Sequence, residues 1–505
     1  MRRLSGLSVF LFVLFAAESA VFFVLPSLNI PIYLSPDETA VARMSRSFGE
    51  GLTMRIADPI LREYPFIHPR SLVSQGDAMV PVGFLGLPIL MGLIWSLFHE
   101  WGIVLLTPLL AMSAAYPLWR FSRKYGIIGQ VVTVTTWLSF PTVILYANRG
   151  SFPNLPVVCL MLWAAWFIWE HRSWMRSACA GILFGFAMAI RPVEAVWTLP
   201  WMIVAWQMRP GGKDGKERTD VVAFLFAAIF VLGCAFLIAW MTYGSPFVIG
   251  YSLRDPMMDV ASATGPVPTV LVGWPFGLHP RNIFFNIRAY FVGYLWPWAL
   301  CAIVAAVVWI KRGARAIPLL AGWTLVALCA MYAGTIYQDH VGLNVASLGN
   351  SFLRYTLPLV PFFSLSTGAL AAWLGSRFSR EHATTLALLA TAFLFLCGTW
   401  TAVKRDDEGI EADARQLQSY ATILSLAEEK LPPETIILSE RSDKIFFPRF
   451  RVASPLPDEV SLLRLIHDGR YPLAFFGLAT DLRSEQRVYT VGNMAMFMLT
   501  SSTHP

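Results

Sequence analysis

The sequence predicts an all-α polytopic membrane bundle of about eleven transmembrane helices, with helices along its outer face and a small C-terminal α/β domain. Apolar residues make up 56% of the 505 and charged residues only 14%, against roughly a quarter charged in soluble domains. Apolar runs of about 20 residues recur as far as residue 403, each long enough for a ~30 Å hydrocarbon core. Beyond Lys404 the charge density rises to the soluble norm and the apolar runs stop. The expected domains are therefore a transmembrane module over 1–403 and a soluble domain over 404–505.

The first run, residues 8–30, is too long for a signal-peptide core and lacks a small-residue cleavage site before a polar start. It reads as a retained helix. Further spans are expected at 101–121, 127–147, 155–170, 177–190, 193–208, 221–243, 287–310, 316–335, 356–374 and 383–403. The apolar stretch 78–98 decides the topology, because its crossing would move every later loop to the other side. With Arg2 and Arg3 inside and 78–98 not crossing, the inside loops carry Arg120, Arg123, Lys124, Arg172, Arg176, Arg209, Lys213, Lys216, Arg218, Lys311, Arg312, Arg315, Arg377 and Arg380. The later outer loops carry only Arg149, Arg254, Arg281, Arg288 and Arg354, with Arg191 at a helix break. That is the positive-inside pattern; the first outer loop, with Arg43, Arg46, Arg55, Arg62 and Arg70, is long enough to escape it. Residues 78–98 are thus expected as a juxtamembrane or re-entrant helix on the outer face. The N-terminus is then cytoplasmic, the C-terminal domain outside, and the chain a multi-pass protein of the cell membrane.

In the C-terminal segment, 435–439, 450–453 and 472–476 read as short strands, and Val460, Leu462, Leu463 and Ile466 give 458–467 helical spacing. No internal repeat or low-complexity tract occurs. The net charge of +7 does not point to nucleic acid, because the basic residues sit in short clusters between apolar runs, where topology accounts for most of them. All six cysteines fall inside apolar runs, which argues against a disulfide framework and a thiolate zinc site. They read as small buried hydrophobes.

Acidic residues narrow the search for chemistry. Glu170, Asp214, Glu217, Asp220 and Glu381 fall at cytoplasmic ends and read as solvated. Glu18 and Glu194 lie within or beside spans, where a functional role and pairing inside the bundle are both open. The others outside the C-terminal domain gather in outer loops: Asp37, Glu38, Glu50, Asp58, Glu63, Asp77 and Glu100 in the first, then Asp255, Asp259 and Asp339. Asp37 and Glu38 follow Ser35-Pro36 and open a stretch to Gly49 with the mixed pattern of an interfacial amphipathic helix. A carboxylate there could deprotonate an acceptor hydroxyl, with nearby cations holding a departing phosphate. On spacing alone, capping of that helix is the better account of Asp37.

Ser35-Pro36-Asp37-Glu38-Thr39, followed by Met44-Ser45-Arg46 and Gly51, resembles the first outer loop of the GT-C glycosyltransferases. The nearest branch is that of the dolichyl-phosphate-mannose protein mannosyltransferases and the lipid A aminoarabinose transferases. Phe284, Phe285, Tyr290, Tyr294 and Pro297-Trp298 are similar to the family's aromatic run ending in Pro-Trp. Arg354-Tyr355, Leu357-Pro358 and Pro361 resemble its Arg-Tyr-x-Leu-Pro-x-x-Pro segment, and Gly181, Gly185 and Arg191-Pro192 its Gly-rich helix broken at a basic residue and proline. The resemblance spans residues 1–400 in order and leaves the last hundred or so unmatched.

The resemblance implies an inverting transferase that moves a sugar from a polyprenyl-phosphate donor, among membrane lipids, to a lipid, glycan or protein acceptor of the envelope; the lack of a retention signal and of a glycosylation-rich lumenal loop favours a bacterial envelope. Asp37 inherits the catalytic carboxylate, and Glu38 orients it or the acceptor. Arg354 would hold the carrier phosphate, unless it meets a lipid headgroup; Arg191 is a second phosphate candidate or a snorkelling side chain. The family often has a second acid at the start of the fourth span, where Asn154 stands here. An amide accepts hydrogen bonds but is neither base nor strong metal ligand at neutral pH. Asn154, Asp77 and His279 are the candidates for orienting the acceptor. His68 and His279 have no second ligand at recognisable spacing, so no cofactor is expected; a divalent metal stays open without support from spacing. Two rivals remain. A transporter or lipid flippase would show inverted repeats and paired midplane charges, and an inactive GT-C-like assembly partner would be consistent with Asn154.

Overall fold

The computed structural model describes residues 15–170, 172–209, 217–253, 277, 279–311, 314–337, 346–405, 408–478 and 487–499. Outside the described residues lie the start of the first expected span, with Arg2 and Arg3, the acids Asp214, Asp255, Asp259 and Asp339, and the basic residues Lys213, Lys216, Arg254 and Arg312. The side chains of Glu217, Arg380 and Glu381 also lie outside them. The chain divides into two compact units, one of Met1–Leu28, Val104–Gly233 and Val267–Ala412, the other of Asn29–Ile103, Cys234–Pro266 and Asp413–Pro505. The C-terminal segment from Asp413 thus shares its unit with Asn29–Ile103.

Long apolar helices make up the first unit. Among the described residues, Glu100–Phe121, Arg218–Tyr243, Leu357–Gly375 and His382–Lys404 are long and apolar enough to cross a membrane by themselves. Asn154–Glu170 and Ala316–Tyr332 are apolar but shorter. The single span expected at 127–147 is bent at a proline, whereas the break expected at Arg191-Pro192 is present. Arg123–Leu138 and Pro141–Asn148 meet at 48°, where Phe140 takes an extended conformation because the following proline ring disfavours the helical one. Trp174–Ile190 and Pro192–Gln207 meet at 119° across an extended Arg191.

The expected single span at 287–310 needs correction. Pro280–Tyr294 meets Trp296–Lys311 at 97°, after widening into a π-helix over Ile287–Tyr294. Pro297 cannot extend a preceding helical ladder but fits the first turn of a new one, where no N–H is needed. The Gly-rich helix also has a physical reason. A methyl on Gly181 would collide with the Phe224 carbonyl, and one on Gly185 would lie 2.8 Å from Val231 Cβ. Small residues four apart thus let Trp174–Ile190 and Glu217–Tyr243 approach closely.

Two acids read as solvated are held in ion pairs, Asp220 buried and Glu170 partly so. Asp220 meets Arg209 at 2.6 Å, with side chains only 4% and 2% exposed. Glu170 pairs with Arg120 and accepts from the Trp166 indole at 3.2 Å. Hydropathy places such residues at a helix end and says nothing of what packs there.

The second unit is built around the Pro36–Gly51 helix, which packs against the Gly86–Phe98 helix. A methyl on Gly92 would lie 2.8 Å from the Ser45 carbonyl, so the two backbones nearly touch. Residues 78–98 are therefore not one helix. They form a strand and then a 13-residue helix, about 20 Å long and too short for a ~30 Å core. In the loop, β1 (Ile56–Ala57), β2 (Leu72–Gln75) and β3 (Ala78–Pro81) make an antiparallel sheet of order β1-β3-β2.

Beyond the helix Ile410–Lys430 comes a five-stranded mixed sheet of β4 (Ile436–Leu438), β5 (Arg451–Ala453), β6 (Leu473–Leu478), β7 (Arg487–Val491) and β8 (Met494–Leu499). Its order is β5-β4-β6-β8-β7, with β4 parallel to β5 and β6 and the rest antiparallel. The helix Glu459–Asp468 links β5 to β6, capped by Asp458, which accepts from Ser461 N–H at 3.0 Å. Gly469, in the left-handed conformation at φ 62°, ends it.

Polar contacts tie this sheet and the short helix Asp443–Phe446 beside it to residues 34–70. Arg70 bonds the fully buried Asp443 at 2.8 Å, Arg451 meets Asp58 at 2.8 Å, and Lys444 donates to the Leu34 carbonyl at 2.6 Å. Removing one partner of a buried pair leaves an uncompensated charge, at a cost of about 3–5 kcal/mol. Asp443→Ala is therefore expected to lower the thermal midpoint and to make the C-terminal sheet protease-sensitive. An unchanged midpoint and digestion pattern would show that Arg70 and Asp443 do not hold the unit together.

Candidate functional site

Ser35, not Asp37, caps the Pro36–Gly51 helix: its hydroxyl accepts from the N–H groups of Asp37 at 3.1 Å and Glu38 at 3.4 Å. Pro36 fills the first helical position, which needs no donor. Asp37 and Glu38 then lie in the first turn, where the helix dipole favours negative charge. They point different ways. Glu38 is 3% exposed, whereas Asp37 is exposed and accepts a 2.6 Å hydrogen bond from the Ser71 hydroxyl. Ser71, which no reading of the sequence singled out, stands beside β2 and is tied to β3 through Val82 N–H at 3.1 Å. The carboxylate is thus held by a rigid hairpin, with its outer face open.

Asp77 is not brought to Asp37. It sits at the turn joining β2 to β3, and Ser71 lies at the opposite end of that hairpin, about 13–20 Å of strand away. Asp77 instead binds Arg62 at 2.5 Å, and the guanidinium holds its carboxyl below the usual range.

In the first unit, the structure brings Arg354 and Arg191 together. Arg354 lies in the short helix Ser351–Tyr355, which Asn350 caps by accepting from Phe352 N–H. Its guanidinium lies 4.2 Å from the centre of the Phe152 ring and 5.4 Å from that of Tyr355. Arg149 reaches the same Phe152 ring at 4.9 Å. Tyr355 stacks on Tyr332 at 4.2 Å and 11°, and Arg191 lies 5.1 Å from Tyr355 and 5.8 Å from Tyr332. Three guanidinium groups are therefore interleaved with three aromatic rings.

The two sequence-predicted arginines differ in their surroundings. Arg191 is bound to Glu194 at 2.8 Å and donates to the Tyr332 hydroxyl at 2.9 Å, while that hydroxyl donates to Glu194 at 2.9 Å. Glu194 also accepts from the Trp197 indole. Of the two readings left open for Glu194, pairing inside the bundle is the one observed. Arg354 is half-buried and bonds the Ser351 hydroxyl at 3.1 Å.

Asn154 opens the helix Asn154–Glu170, two residues after Phe152. It is 4% exposed, and its carboxamide oxygen accepts no hydrogen bond among the described residues. His279 is exposed before the Pro280–Asn286 helix and caps nothing. No group of three or more His, Cys, Asp or Glu placed to hold a metal ion occurs among the described residues.

No protein-family profile and no curated protein sequence matches this chain. Among solved structures, ArnT from Cupriavidus metallidurans, crystallised in the apo state, matches over 98% of this chain and 98% of its own, with a TM-score of 0.57 at 14% identity. The chain has the GT-C fold. It is a multi-pass membrane protein. The GT-C correspondence also takes in the last hundred or so residues, which carried no resemblance in sequence.

Ser71 beside Asp37, and Arg149, Phe152 and Tyr332 around Arg354 and Arg191, are neighbours that the sequence did not mark. Arg149 and Phe152 stand three apart in the loop that ends at Asn154, a spacing that could have marked them. Nothing local marks Ser71 or Tyr332. The Arg191–Glu194–Tyr332 network makes one prediction. Glu194→Gln leaves Arg191 buried without a counter-charge, at about 3–5 kcal/mol, and should lower the thermal midpoint sharply. Arg191→Met combined with Glu194→Gln should recover part of that loss. A double variant as unstable as the sum of the two singles would mean that the pair is not coupled.

Proposed function

We propose that this chain is a membrane glycosyltransferase that takes a sugar from a polyprenyl-phosphate donor and passes it to an envelope acceptor at the non-cytoplasmic face. The observation that carries the reading is the GT-C fold, matched to ArnT over 98% of both chains. Two features support it: an exposed carboxylate anchored at a helix start, and a set of arginines mounted on aromatic rings.

Asp37 accepts the proton of an acceptor hydroxyl as its oxygen attacks the anomeric carbon. The new glycosidic C–O bond forms while the bond from that carbon to the carrier phosphate breaks. The bonding electrons leave on the phosphate oxygen, and inversion follows from attack opposite the leaving group. Ser71 holds Asp37 in place, and buried Glu38 supports the helix that presents it. Arg354, with Arg149 beside it, stabilises the charge gathering on the phosphate, and Arg191 fixes the Tyr332–Tyr355 stack behind Arg354. Asp77, paired to Arg62, and His279 are assigned to the aqueous edge where an acceptor enters. The sugar-bearing carrier and the acceptor are the partners; nucleic acid is not.

Asp37→Asn preserves volume but removes the proton acceptor, and turnover should fall by a factor on the order of 10² or more with donor lipid still bound. Near-normal turnover would remove Asp37 from the chemistry. Arg354→Lys retains charge without the planar fork, so donor binding should weaken with Lys and weaken further with Ala. Equal donor affinity in wild type and Arg354→Ala would place the phosphate elsewhere.

Asn154 favours a second reading, a GT-C protein that has lost transfer and serves as an assembly partner. Its buried, unpartnered oxygen supports an active role instead, because such an oxygen costs about 1–3 kcal/mol unless a ligand donates to it. Transfer by wild type, Asn154→Ala and Asn154→Asp decides between them. A silent wild type alongside an active Asp variant would establish the second reading.

A further inference from the structure

A cavity of about 310 Å³ lies within the second unit, between the outer loop and the C-terminal sheet. Since a water takes about 30 Å³ of liquid volume, this is room for roughly ten waters or one compact sugar-sized molecule. Ile67, Met79 and Phe450 supply apolar wall, while Arg43, Arg449 and Arg451 face it with Asp58, Glu434 and His68.

These charges do not cancel locally. Arg451 is held by Asp58 at 2.8 Å. Arg449 stands 3.4 Å from Glu428, but both are largely exposed, at 65% and 48%, where pairing is weak. Arg43 makes no hydrogen bond or ion pair among the described residues, although its Nε is fully buried. A buried guanidinium donor without an acceptor is rare, because the group has lost water and gained nothing. Glu434, also at the cavity, leaves that donor unmet.

We propose that this cavity binds a compact polar molecule bearing an oxyanion, a sugar acid or a sugar phosphate, with Arg43 gripping the carboxylate or phosphate. An oxyanion supplies the acceptor that Arg43 lacks, and the guanidinium fork suits two of its oxygens. Arg449 closes the rim, and the apolar wall receives the sugar face. Arg43 lies on the Pro36–Gly51 helix that also carries Asp37, so the bound molecule joins that helix to the C-terminal sheet. The inference stands independently of the transferase reading.

Isothermal titration of the purified full chain in phosphatidylcholine nanodiscs tests it, with glucuronate, glucose 1-phosphate and uncharged glucose as probes. At least one of the two anions is expected to bind saturably and glucose not at all; which anion binds identifies carboxylate or phosphate as the group recognised. Arg43→Gln should weaken that binding roughly tenfold or more, about 1.4 kcal/mol. Arg43→Lys should weaken it less, and Arg354→Ala should leave it unchanged. Arg449→Gln, at an exposed rim position, should weaken binding without disturbing the fold and serves as the readout should Arg43→Gln fail to fold. Three results overturn the proposal: no saturable binding of either anion, equal affinity in wild type and the Gln variants, or binding lost in Arg354→Ala but kept in Arg43→Gln. The last would assign the anion to the arginine set of the other unit.

Discussion

A charge taken out of water must be met by another charge or by several hydrogen bonds, and much of this fold follows from how its buried charges are met. Arg209 with Asp220 and Arg120 with Glu170 do so in the helical unit, and Arg70 with Asp443 in the other. The triangle of Arg191, Glu194 and Tyr332 matters most for the site. It closes three polar groups on one another at 2.8–2.9 Å and so fixes the plane of the Tyr332 ring. Tyr355 stacks on that plane, and Arg354 is its neighbour in the chain. The arginine offered for phosphate binding is thus positioned by a charge pair two contacts away.

Proline supplies the second organising constraint. Pro141, Pro192 and Pro297 each stand at a break between helices bent by 48°, 119° and 97°. Polar side chains on these bent helices bond the backbone of other segments. Asn286 donates to the carbonyls of Ala333 and Thr335, and the Tyr294 hydroxyl to that of Ala346. Asn148 donates to the Val21 carbonyl and accepts from Leu25 N–H. Breaks that hydropathy averages away are therefore where polar side chains gather.

In the other unit, placement relies on backbone proximity. Gly92 lets the Gly86–Phe98 helix lie against the helix that presents Asp37. The β2–β3 hairpin brings Ser71 to one carboxylate and leaves Asp77 at its far end. The C-terminal segment closes on the same region through Asp58, Arg70 and Leu34, with the Arg43 cavity at that junction.

By itself the sequence determined the polytopic architecture and the fold class, and offered Asp37, Arg354 and Arg191 as residues to follow. These are legible because hydrophobic length, charge bias between loops and a Pro-Asp-Glu run after a span are local properties of the chain. Tertiary structure alone decided that Ser35 caps and Ser71 holds Asp37, that Asp77 points elsewhere, and that Asp220 and Glu170 are ion-paired rather than solvated ends. It alone set Arg149 and Arg354 on one Phe152 ring, and placed the C-terminal sheet in a unit with the outer loop. The partners stand 34 residues apart for Ser71 and Asp37, 50 for Arg120 and Glu170, and 410 for Leu34 and Lys444. A pattern of period 2 or 3.6 shows which face of an element is buried, but not which distant charge or ring will meet it there.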